Sequence, residues 1–123
     1  MAVLQNSNIS LCTYNCRSYK NSTDEINELC EQYDFVLLQE HWLLPNELSL
    51  LSQLNRKFVA VAHSSVEIDK DILVGRPYGG TAIMYNKCLA SSVTSIETHE
   101  PRLTAVTLLT NLGPILIVCV YMP

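Results

Sequence analysis

The stretch ISLCTYNCRSYKNSTDEINELCEQYDFVLLQEHW, residues 9–42, decides the fold. Its first part, Ile9 to Asn15, alternates and is rich in β-formers, which reads as a strand. Residues 21–34 read as an amphipathic helix, because Ile26, Leu29, Cys30 and Tyr33 recur at i, i+3, i+4 and i+7 in one apolar stripe. Ser22 and Glu25 match the S-x-x-E capping box, and Asp24 adds negative charge at the positive end of the helix dipole. FVLLQ follows as a continuous apolar run, the mark of a strand covered on both faces. A strand, a helix and a second strand in so short a span make a βαβ unit with parallel neighbours. Both strands run out into polar groups, the amide of Asn15 and the carboxylate of Glu40. Parallel pairing brings these ends to the same carboxyl edge of the sheet, where α/β proteins gather their ligands.

Beyond this unit, PNELSLLSQL (45–54) predicts a second, shorter helix, with Pro45 in its first turn and Leu48, Leu51 and Leu54 facing inward. KFVAVAH (57–63) reads as a strand, and SSVEIDKDILVGRPYGG (64–80) as a polar loop punctuated by Gly and Pro. Strands are expected in GTAIMYN, SSVTSIETH, RLTAVTLLT and PILIVCVYM, with Asn111 and Gly113 of TNLG supplying turn chemistry between the last two. The expected architecture is α/β: β-α-β-α-β and then a meander, forming one mixed sheet with two helices on one face. Strands such as ILIVCVY are apolar at nearly every position, so both sheet faces need cover. Two helices cover only one, and a bare face is expected.

The 123 residues suffice for one domain with a buried core, taken as residues 1–123. A composition of 48% hydrophobic and 16% charged residues is globular and excludes disordered and collagen-like classes. The net charge of −4 offers no stripe of Lys and Arg of the kind nucleic-acid binding uses. A nuclease centred on carboxylates needs only a local basic rim. The five cysteines, Cys12, Cys16, Cys30, Cys88 and Cys119, form no CxxC pair and read as buried free thiols of a reducing, intracellular protein. No pattern of Cys and His supports a zinc site. No apolar run approaches the ~20 residues of a membrane helix, so no membrane partner is expected.

In order along the chain, LCTYNCRS, VLLQEHWL, YGGTAIMYN and ILIVCVYMP resemble the opening motifs of the endonuclease/exonuclease/phosphatase family. Within it they are most similar to the apurinic-endonuclease-like endonuclease domains of non-LTR retrotransposon reverse transcriptases, with LQEHWL and GRPYGGTAI the most specific pieces. The resemblance implies a DNase I-like, four-layer α/β/β/α sandwich built from two similar halves, of which this chain resembles the N-terminal half. It implies that Glu40 binds a divalent metal, magnesium, which favours hard oxygen ligands and takes one or two carboxylates. By the same resemblance, Asn15 lies near the metal and orients a carboxylate or phosphate oxygen, and Tyr121 hydrogen-bonds the scissile phosphate. Arg17, on the loop after the first strand, and His41, next to Glu40, are further substrate-binding candidates, while Arg76, Tyr78 and Arg102 are candidates for the groove rim. DNA is the expected partner of the complete domain.

The family's remaining machinery, an Asp-x-Asn pair and a terminal Asp-His pair, has no counterpart in this sequence: His63 and His99 do not stand in Ser-Asp-His contexts. The chain alone is therefore expected to be inactive, with the C-terminal half or another protein on the open sheet face. Two other readings stay open: a non-catalytic interaction module using that face, and a family phosphatase or exonuclease acting on other phosphoesters.

Overall fold

The computed structural model describes residues 8–69, 72–75 and 78–122. Its strands are β1 (Leu11–Asn15), β2 (Phe35–Gln39), β3 (Phe58–His63), β4 (Val66–Asp69), β5 (Ile72–Gly75), β6 (Thr81–Asn86), β7 (Val93–Ile96), β8 (Leu103–Thr110) and β9 (Gly113–Val120). Helix α1 covers Thr23–Gln32, and 3-10 helices cover Pro45–Gln53 and Lys87–Ser92.

The βαβ reading holds. Strands β1 and β2 pair in parallel, with Asn15 opposite Gln39, so Asn15 and Glu40 leave the sheet at one edge. Helix α1 buries Ile26 and Cys30 of the expected stripe, and full burial of one such aliphatic side chain is worth about 1.5–3 kcal/mol. The helix ends where Tyr33 turns extended and its N–H bonds Leu29 O, after which Asp34 N bonds Ser10 O at 3.0 Å and starts β2. The capping box does not form: Ser22 is the N-cap without a side-chain cap bond. Its hydroxyl instead donates to Cys16 O at 2.9 Å and ties the helix start to the loop after β1.

Three expectations are corrected. Residues 45–53 wind as a 3-10 helix rather than an α-helix. Leucines at 48, 51 and 54 recur every three residues, which matches the three-residue turn of that helix. The segment read as a polar loop contains the antiparallel pair β4–β5, with Val66 opposite Gly75 and Ile68 opposite Leu73, and its β-branched Val66, Ile68, Ile72 and Val74 are residues that favour strands. Finally, the strands do not form one sheet. They form a mixed four-stranded sheet in the order β1-β2-β6-β3, the β4–β5 hairpin and an antiparallel three-stranded sheet β7-β8-β9.

Helix α1 and the first 3-10 helix share one face of the four-stranded sheet, where Ile26, Cys30 and Leu51 pack on Val36, Leu38, Ala82 and Met84. On the opposite face, Phe35, Leu37 and Ile83 pack on Val106, Leu108, Ile117 and Cys119 of the three-stranded sheet. The four-stranded sheet is thus covered on both sides, and the bare surface lies one layer further out. Strand β9 is an edge strand whose Leu116, Val118 and Val120 are 62%, 38% and 45% exposed. Leu11 of β1, an edge strand of the four-stranded sheet, is exposed as well. Exposed contiguous apolar surface recruits dye and partners. The isolated chain is expected to bind a hydrophobic dye while folded, and Leu116→Lys with Val118→Lys to remove most of that signal at unchanged circular dichroism. A dye-negative parent chain would contradict the bare face.

Candidate active site

The site grows from the edge where β1 and β2 end. The chain leaving β1 is stitched to the chain leaving β2 by backbone bonds from Cys16 N to Gln39 O, Ser18 N to Glu40 O and Tyr19 N to His41 O, at 2.9–3.0 Å. This stitching forces unusual backbone. Arg17, Ser18, Glu40 and Trp42 all have φ between 46° and 104°, four of the five non-glycine residues in that region among those described. Each such conformation costs on the order of 1–3 kcal/mol, and such strain collects where a side chain must be aimed.

The side chain so aimed is Glu40. Asn15 Nδ2 donates to Glu40 Oε2, fixing one carboxylate oxygen and leaving Oε1 for another partner. Glu40 forms part of the wall of a cleft of about 470 Å³, together with Tyr78, Gly80, Pro101, Arg102 and Tyr121. Tyr121 is held there by its N–H, which bonds Arg102 O at 3.0 Å. The structure therefore brings Asn15, Glu40 and Tyr121 together across two sheets. Arg102 stands on the rim, with Nε 3.3 Å from Glu100 Oε1. Tyr78 meets Trp42 edge-on, with ring centroids 5.0 Å apart.

His41 is not available to substrate. It is fully buried, its Nδ1 accepts from Leu43 N at 2.9 Å, and its Nε2 bonds His63 O at 2.8 Å. Burial pushes the imidazole below its ordinary value and keeps it neutral. With Nδ1 accepting, Nε2 carries the proton, and the ring is a strut that shapes the turn holding Glu40. Its signal in the sequence is Gly80: a Cβ there would lie 2.3 Å from His41 Cε1. Arg17 is exposed on the loop after β1, and Arg76 lies outside the described residues.

Cys16 and Cys30 are not poised as nucleophiles. Burial pushes the thiol of Cys16 up to about 11 and that of Cys30 up to about 12, far from the thiolate range. Cys88, expected to be buried, is exposed, because it sits on the 3-10 helix at the surface. Among the described residues no group of three or more His, Cys, Asp or Glu is gathered for a metal ion. The cleft instead offers the Glu40 carboxylate, oriented by Asn15, with Tyr121 in the same wall, while its second carboxylate, Glu100, is engaged by Arg102. Such a set suits a cation that keeps most of its own water, as magnesium does, and not a closed zinc cage.

The sequence profile of the Endonuclease/Exonuclease/phosphatase family matches residues 12–121. A sequence search among curated proteins returns no match. Among solved structures, the chain is similar to the AP endonuclease LMAP from Leishmania major, with a TM-score of 0.67 at 17% identity over 94% of this chain. It is also similar to the 3′ phosphatase NExo from Neisseria bound to a product DNA hairpin, with a TM-score of 0.57 at 16% identity over 89% of this chain. At these identities the likeness is one of fold, which is DNase I-like. The chain spans 40% of the length of each of the two.

Proposed function

We propose a function for a chain that belongs to the endonuclease/exonuclease/phosphatase family: it is the N-terminal part of a magnesium-dependent phosphodiesterase that nicks DNA, of the non-LTR retrotransposon type. One observation carries the reading. Glu40, held in a left-handed turn and bonded by Asn15, shares a cleft with Tyr121. LQEHWL and GRPYGGTAI support the retrotransposon type.

In this reading the Asn15 amide orients the Glu40 carboxylate, and the Tyr121 hydroxyl donates to a non-bridging phosphate oxygen. Arg102 adds positive charge at the rim, where a backbone phosphate enters. Glu40, with the side-chain oxygen of Asn15 nearby, would hold the divalent metal, whose contribution when bound is to polarise the phosphoryl oxygen and stabilise the leaving alkoxide. General acid-base help, worth roughly 10²–10⁴ in rate, belongs to the C-terminal half of the family domain. The bare face of β7-β8-β9 is the surface that half would cover, and the chain by itself is inactive.

Plasmid nicking tests the reading. The chain joined to a family C-terminal half should relax supercoiled plasmid with magnesium, stop with EDTA, and outpace its own hydrolysis of nucleotides and inositol phosphates. Failure to nick, or a preference for the small phosphoesters, would overturn the DNA-endonuclease assignment.

A further inference from the structure

Two threonines meet between the sheets behind the cleft. Thr81 of β6 and Thr104 of β8 are fully buried, and their hydroxyls are 2.8 Å apart. His63 lies directly opposite Thr81 in the β3–β6 ladder, and its Nδ1 is 2.9 Å from Thr104 Oγ1. Thr81 Oγ1 is 3.0 Å from Pro101 O, an acceptor that only a donor can satisfy.

Each hydroxyl has one hydrogen. The Thr81 hydrogen goes to Pro101 O. Thr104 then donates toward Thr81, whose Oγ1 and O lie 2.8 and 3.2 Å away. With its hydrogen spent, Thr104 Oγ1 can only accept from the imidazole. The reverse direction would leave the part-buried Pro101 O without the protein donor it has in this structure, and would give up the Thr81 bond to it.

We propose that His63, Thr104 and Thr81 are positioning residues of the cleft, joined in one directed chain from His63 Nδ1–H to Pro101 O. The chain ends on the Pro101–Arg102 wall, and Arg102 O in turn holds Tyr121 N. A second arm leaves the same residue, because His63 O accepts from His41, which shapes the Glu40 turn. His63 thus links the carboxylate side of the cleft to the phenol side. The functional weight of this link rests on the phosphodiesterase reading; the link itself does not.

Hydrogen counting makes the two histidines opposite: His41 carries its proton on Nε2 and His63 on Nδ1. The Nδ1 proton of His63 is present whether or not Nε2, 3.6 Å from Glu97 Oε1, is also protonated.

The test is NMR on the full chain. Long-range ¹H–¹⁵N correlations of the imidazoles are expected to show Nε2–H at His41 and Nδ1–H at His63. Thr104→Val is expected to shift the amide signals of Arg102 and Tyr121, and Thr104→Ser to restore them. An Nε2–H-only His63, or Arg102 and Tyr121 signals as unmoved by valine as by serine, would overturn the proposal. Should the valine variant not fold, the His63 tautomer and the serine variant decide. These signals are independent of DNA cleavage, so a failed nicking assay and a failed positioning chain are told apart.

Discussion

In the chain joined to a family C-terminal half, and on the proposed function, Glu40→Gln is expected to lower magnesium-dependent nicking about a thousandfold while leaving thermal stability within about 1 kcal/mol. Glutamine keeps the length and one oxygen that can accept from Asn15 Nδ2, the bond seen on Glu40 Oε2. What it loses is the negative charge. Metal assistance to a phosphoryl transfer is worth several kcal/mol, and each 1.36 kcal/mol is tenfold in rate, so losses of roughly 10²–10⁴ follow. Much of the deficit should return as magnesium is raised, since the defect lies in holding the cation. Asn15→Ala should cost less, roughly 10- to 100-fold, the worth of one hydrogen bond to a charged group. The measurement is initial nicking rate against magnesium concentration for both variants. Rates within a few-fold of the parent at every concentration would remove Glu40 from the chemistry.

The parts of this site that could be read in the sequence are those set by local pattern. The stripe of Ile26 and Cys30, the apolar FVLLQ and the short links between them specify the βαβ unit, and with it the shared edge of Asn15 and Glu40. What could not be read depends on pairing between distant residues. Strand β6 enters between β2 and β3, and no periodicity in TAIMYN says that it belongs with FVLLQ rather than with the meander that follows. The split into two sheets, and hence the position of the bare face, follows from that one insertion. The same holds for His41, which reads as a polar neighbour of a metal carboxylate until Gly80 is known to lie against its ring. Thr81 and Thr104 look like ordinary strand threonines, and only the approach of β8 to β6 makes them one buried pair. Trp42 and Tyr78 likewise meet only because the turn after β2 is bonded to Gly79 O.

Gly80→Ala is expected to be the most damaging alanine substitution among the glycines at positions 79, 80 and 113. The residue has φ +102°, and an ideal Cβ would stand 2.3, 2.5 and 2.7 Å from Cε1, Nε2 and Nδ1 of His41. The ring cannot move aside cheaply: it is fully buried, and both its nitrogens are bonded to backbone, to Leu43 N and His63 O. The left-handed conformation costs alanine about 1–2 kcal/mol, overpacking about 1–3, and a broken buried hydrogen bond about 1–3 more. The sum, roughly 3–8 kcal/mol, compares with a total stability of about 5–15 kcal/mol for an ordinary domain. Chemical denaturation should therefore show a variant that is barely folded. Gly113→Ala is the control, because φ there is +115° yet nothing lies within 4 Å of the added atom, so only the conformational cost of about 1–2 kcal/mol applies. A double-mutant cycle isolates the clash. In a His41→Ala background the ring is gone, and Gly80→Ala should fall to the cost seen at Gly113. Equal costs at positions 80 and 113 in the parent chain would mean that His41 is not packed beneath Gly80. The Glu40 turn would then lack the strut on which the shape of the cleft depends.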